Sequence, residues 1–138
     1  MKSAYKLNLK ELDSLVNDII RDFKDGVVIL KGDLAAGKTT LVKKIAKELG
    51  YKEDVTSPTF SLQQYYGDKL FHYDIYNHGL EHFISLGMLE ELEKPGLHFI
   101  EWGSDDLVDI LLSAGIQTMT IKIEKISNDA REYKICTH

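Results

Sequence analysis

"LKGDLAAGKTTLVKK", residues 30–44, decides how this chain is to be read. It begins where "VVIL" (27–30) ends, a largely β-branched apolar run of the kind found in strands buried on both faces of an α/β sheet. It runs into Leu41, Val42, Ile45, Ala46 and Leu49, which keep helical spacing up to Gly50, a residue suited to the left-handed position beyond a helix end. Between strand and helix stand two glycines, Gly32 and Gly37, and a Lys-Thr pair. Strand, loop and helix therefore follow one another.

That setting gives the loop a mechanism. Gly32-Asp33-Leu34-Ala35-Ala36-Gly37-Lys38-Thr39 fits G-x-x-x-x-G-K-[ST], in which backbone N–H groups and a helix N-terminus surround a polyphosphate. The glycines permit backbone angles and a close approach that a Cβ would hinder. Lys38 supplies a charge for the β- and γ-phosphates, and Thr39 a hydroxyl for Mg²⁺. The candidate nucleotide cradle is thus Gly32 through Thr40, with Leu34, Ala35 and Ala36 as its middle and Thr40 beside the Lys-Thr pair. Hydrolysis also needs acids that hold the metal and position water. Two strand-end acids qualify: Asp74 in "LFHYDIY" (70–76) and Glu101 in "LHFIEWG" (97–103). Either suits the Walker B position.

The flanks read as alternating elements without an internal repeat or a linker. Residues 4–7 suggest a short strand, and Asn8 with Glu11 three positions later gives a capping-box start. Leu9, Leu12, Leu15, Val16, Ile19, Ile20 and Phe23 then recur as one helical stripe ending near Asp25-Gly26. The segment holding His78 and His82 suits a surface helix, and "LEHFISLGMLEELEKPG" (80–96) mixes apolar residues with Glu81, Glu90, Glu91 and Glu93, acids expected to face water. Ser104, with Asp105 and Asp106 behind it and Gly115 at the far end, marks another helix. "TMTIKIE" (118–124) and "AREYKIC" (130–136), joined through "SND", form a closing strand pair. The fold class expected is a three-layer α/β P-loop domain, with a mixed, mainly parallel central sheet flanked by helices and one domain over 1–138.

Composition excludes several alternatives. With 43% hydrophobic and 28% charged residues, and no apolar run near membrane-spanning length, the chain belongs with soluble globular proteins rather than membrane ones. The amphipathic N-terminus lacks the apolar core of a secretory signal, so a cytoplasmic location is expected, and the single Cys136 agrees with a reducing compartment. A formal charge of −5 argues against a broad nucleic-acid surface. His72, His78, His82 and His98 come with no cysteine or carboxylate set that would complete a metal site. Lys43, Lys44 and Lys47 read as the solvated face of the loop's helix.

"GDLAAGKTT" (32–40), "SPTF" (57–60), "HYDIY" (72–76) and "IEW" (100–102), in that order and at that spacing, resemble the bacterial TsaE (YjeE) family, the ATPase of tRNA threonylcarbamoyladenosine biosynthesis. The resemblance covers about residues 26–103. It implies ATP with Mg²⁺ as the nucleotide, Thr39 and Glu101 on the metal side, Asp74 as the acid acting in hydrolysis and Trp102 beside the site. It also implies that "SPTF" is a switch with Thr59 as the γ-phosphate sensor, that TsaB and TsaD are partners, and that tRNA is reached through the complex. Three positions depart from the family pattern: Ala35 for a third glycine, Asn77 for an arginine and Gly103 for a proline. Two other readings share the phosphate cradle. A small P-loop kinase would need several lid arginines, and this chain has only Arg21 and Arg131. A nucleotide-dependent binding switch with little turnover would need none.

Overall fold

The computed structural model describes residues 2–33, 37–51, 63–66, 69–75 and 79–138. Leu34, Ala35, Ala36, Thr59 with the rest of "SPTF", and Asn77 lie outside the described residues.

Among the described residues seven strands form one sheet: β1 (Lys2–Asn8), β2 (Gly26–Lys31), β3 (Gln63–Tyr66), β4 (Leu70–Asp74), β5 (Leu97–Glu101), β6 (Thr118–Lys125) and β7 (Ala130–Thr137). Their spatial order is β1-β7-β6-β2-β5-β4-β3. The middle of the sheet is parallel, β6 with β2, β2 with β5 and β5 with β4, while β7 and β3 run against their neighbours. The sheet is mixed with a parallel heart, as the sequence predicts.

Among the described residues five α-helices cover it: α1 (Leu12–Asp22), α2 (Lys38–Glu48), α3 (Gly79–Ser85), α4 (Met88–Glu91) and α5 (Asp105–Ser113). Leu12, Leu15, Leu41 and Ile45 of α1 and α2 pack with Val28, Leu30, Phe99 and Ile121. Phe83, Leu107 and Leu111 of α3 and α5 pack with Val27, Ile29, Tyr73 and Ile100. Successive strand residues point to opposite faces, so Val28 and Leu30 go one way and Val27 and Ile29 the other, which makes three layers. The layering follows chain direction. The steps from β1 to β2 and from β2 to β4 move one way along the sheet and carry α1 and α2 on one face. The return through β5 to β6 carries α3 and α5 on the other, as right-handed crossovers require.

The capping box forms in full. The Asn8 N–H donates to Glu11 Oε1 at 3.0 Å, and the Glu11 N–H to Asn8 Oδ1 at 2.9 Å. It closes a single 3₁₀ turn over Leu9–Glu11, and the α-helix begins at Leu12. The stretch 79–96 holds two short helices, broken where Gly87 turns left-handed at φ 76°. Glu81, Glu90 and Glu93 on this stretch face water, and Glu91 pairs with Lys94. β1 is longer than the 4–7 expected, because it pairs with β7 along its full length.

Candidate functional site

Parallel strands place their carboxyl ends along one rim of the sheet, and ligand sites of open α/β sheets lie in the crevice outside that rim. Here Leu30, Glu101 and Asp74 stand in one register row on β2, β5 and β4. Pleat parity directs Asp74 and Glu101 to the same face as Leu30, the face covered by α2.

The N-terminus of α2 is brought over this rim by the loop after β2. Gly37 caps the helix in a left-handed conformation, φ 104° and ψ 24°. Among the described residues a Cβ there would meet no atom within 4 Å, and the positive φ is what calls for glycine. Lys38 follows at 4% exposure, and its ammonium donates to the carbonyls of Gly32 at 2.7 Å and Asp33 at 2.8 Å. The Trp102 ring lies over the same nitrogen at 4.0 Å from the centroid. Burial pushes the Lys38 ammonium down from its ordinary range, and the charges of Glu101, Asp74 and Asp33 pull it back up. A buried cation held in this way is oriented before any ligand arrives.

Thr39 faces the other half of the site. Its hydroxyl donates to Glu101 Oε2 at 3.2 Å. Glu101 is itself buried, and the same Oε2 lies 2.5 Å from His72 Nε2. Thr40 is exposed on the first turn of α2.

Trp102 sits on a special backbone. Its φ of 69° is the one positive value among the described residues other than glycine, and for a bulky side chain that costs about 1–2 kcal/mol. Its N–H still donates to the Leu30 carbonyl at 3.2 Å, so the turn stays tied to β2 while the indole swings over Lys38. Gly103 shows the converse of Gly37. A Cβ on it would fall 2.7 Å from Ile29 Cγ2, so glycine is required here for space. A proline at this position would bring the same Cβ, which accounts physically for that departure from the family pattern.

Of the residues expected from sequence, the structure brings Gly32, Asp33, Gly37, Lys38, Thr39, Glu101 and Trp102 together, with Asp74 on the adjoining strand end. Sequence reasoning missed His72. The signal was available in the two-residue period that puts His72 on the same face of β4 as Asp74. His72 and His98 lie on opposite faces, because His98 is in register with Phe71. Among the described residues, no group of three or more histidines, cysteines or acids could hold a metal ion.

Similarity to known proteins agrees with this geometry. The family model described as "Threonylcarbamoyl adenosine biosynthesis protein TsaE" matches residues 7–133. The chain belongs to the TsaE family. It is 38% identical over 112 residues to the tRNA threonylcarbamoyladenosine biosynthesis protein TsaE of Treponema pallidum, a match covering 79% of this chain and 80% of that one. To the protein of the same name from Nostoc it is 36% identical over 102 residues, 64% of this chain and 63% of that one. Among solved structures, Bacillus subtilis YdiB superposes with a TM-score of 0.71 at 26% identity, covering 98% of this chain and 84% of that chain. The family model thus takes in the strand-end acids and β6 as well as the loop, which fits a fold shared along nearly the whole chain.

Proposed function

We propose that this chain, as one domain over residues 1–138, binds ATP with Mg²⁺ in the loop of residues 32–40 and hydrolyses it. Its task is the threonylcarbamoyladenosine modification of tRNA next to the anticodon, in the cytoplasm and together with TsaB and TsaD. The observation that carries the reading is the meeting of Lys38, Thr39 and Glu101 at the rim of the parallel strands. Among the described residues, no helix is long and apolar enough to cross a membrane.

The donor set fits the metal. A hydroxyl and a carboxylate, with Asp74 next in register, are hard oxygen ligands of the kind Mg²⁺ takes alongside phosphate oxygens. Thr39 and Glu101 would hold it. Bound there, Mg²⁺ supplies positive charge against the phosphate oxygens as the terminal bond breaks. The remaining work falls to the chain. Lys38 has two of its three hydrogens on loop carbonyls, so its charge stays aimed along the loop towards a β/γ-phosphate. Trp102 covers that ammonium and keeps water from it. Asp74 orients the attacking water, and Thr59 reports the γ-phosphate to the partners.

The kinase reading loses support from the two arginines. Arg21 is held by Asp18 and Asp22 on α1, and Arg131 bonds the carbonyls of Ser127 and Ala130 in the β6–β7 turn. The acidic total charge favours tRNA held by partner subunits. Equilibrium titration of ATP with Mg²⁺ tests the site. Lys38→Ala should weaken binding by at least about tenfold, the loss expected for one charge-assisted contact to phosphate. Equal affinity in the variant would remove the loop from the reading.

A further inference from the structure

Two fully buried histidines lie on neighbouring strands, on opposite faces of the sheet, and they are satisfied differently. His98 uses both ring nitrogens: Tyr73 Oη lies 2.8 Å from Nδ1, and Nε2 lies 2.7 Å from the Lys94 carbonyl. A carbonyl only accepts, so Nε2 of His98 carries the hydrogen and Nδ1 accepts from the tyrosine. His72 instead has Nε2 at 2.5 Å from Glu101 Oε2, and its Nδ1 has no hydrogen-bond partner among the described residues. An imidazole kept only to fill the core would leave neither nitrogen bare, and an apolar ring would fill the same space. The polarity of His72 is therefore spent on Glu101.

We propose that His72 is a positioning residue that clamps the Glu101 carboxylate against Thr39, and that the tightening of nucleotide binding by Mg²⁺ depends on this clamp. The inference rests on the functional reading above. Both bonds to the carboxylate, from Thr39 at 3.2 Å and from His72 at 2.5 Å, fall on Oε2. A carboxylate only accepts, so His72 donates its Nε2 hydrogen. The last torsion of a glutamate is broad and intrinsically unrestrained, and two donors on one oxygen stop its rotation. Parity on β4 and β5 places both side chains on the α2 face, with His72 two register rows below Glu101. His72 itself forms no bond to the phosphate loop: its only hydrogen bond among the described residues goes to Glu101.

The test compares wild type, His72→Phe and His72→Gln by calorimetric titration of ADP in excess EDTA and across a Mg²⁺ series, with melting of the ligand-free proteins alongside. In EDTA the three should agree within about twofold, because the loop is untouched. The Mg²⁺ concentration giving half of the tightening should rise about tenfold or more in His72→Phe, the usual effect of losing a partner behind a metal ligand. His72→Gln, whose amide can still donate, should recover most of the response. An unchanged Mg²⁺ response in His72→Phe, equal losses in both variants, or a loss in EDTA as large as that with Mg²⁺ would each overturn the proposal. If the variants do not fold, the wild-type Nε2 proton resonance of His72 serves instead. It should move when Mg²⁺ joins bound ADP and stay when ADP binds in EDTA, and a resonance indifferent to Mg²⁺ overturns the clamp. A wild-type chain whose nucleotide affinity never responds to Mg²⁺ would instead overturn the functional reading itself.

Discussion

At the scale of single residues, the two strand-end acids differ in their surroundings. Glu101 is buried and receives Thr39 and His72, while Asp74 is half-buried at the end of β4 and acts on Lys38 through charge. Neither carboxylate builds the loop that would cradle phosphates. Glu101→Gln and Asp74→Asn should therefore keep ATP affinity within about tenfold while turnover in the assembled complex falls by about a hundredfold or more. Steady-state rates beside equilibrium titrations measure this, and matching losses in binding and turnover would make both acids structural. The motif residues were legible because each letter of G-x-x-x-x-G-K-T has its own chemistry. His72 was not, because its importance lies in one contact across two strands.

At the scale of elements, the junction from β5 to α5 carries unusual constraints. Trp102 takes a left-handed backbone, Gly103 has no room for a Cβ, and Ser104 caps α5 by accepting from the Leu107 N–H at 3.3 Å. Gly103→Ala should destabilise the protein by about 1–3 kcal/mol through overpacking against Ile29. Ile29→Ala in the same chain should recover part of the loss, and denaturant melts showing simple additivity would contradict the contact. Ser104 and its helix were plain in the sequence, since caps are local. The tight fit of Gly103 was not, because Ile29 comes from another strand.

His98 on β5 gives a pH dependence of its own. Burial pushes its imidazole below the ordinary range, partly offset by the bond to the Lys94 carbonyl. The unfolded chain therefore takes up a proton near pH 6.5 that the folded chain still refuses, so this contribution is complete above about that pH and declines below it. The melting temperature should fall between about pH 7 and 5.5, and fall less steeply in His98→Asn. Identical pH slopes in the two proteins would contradict it.

At the scale of the whole molecule, the alternation of strands and helices predicted a layered α/β domain, and the handedness of crossovers follows from strand order. Pairing at the edges is less legible. β3 was not foreseen, and β1 outgrew its expected length, because edge strands are set by partners distant in sequence. The chain also carries its net charge of −5 into any assembly, so on the proposed reading free protein should bind tRNA weakly at physiological salt, and tight, tRNA-specific binding by this chain alone would overturn that.

The central claim is ATP hydrolysis that serves tRNA modification within a complex, and release of phosphate by the purified chain tests it most directly. The rate is read for the chain alone, with Mg²⁺ removed, and with TsaB, TsaD and tRNA added. The account predicts slow Mg²⁺-dependent release alone, at least about tenfold faster release in the complex, and loss of both in Lys38→Ala. Release that ignores Mg²⁺, the partners and Lys38 would contradict it.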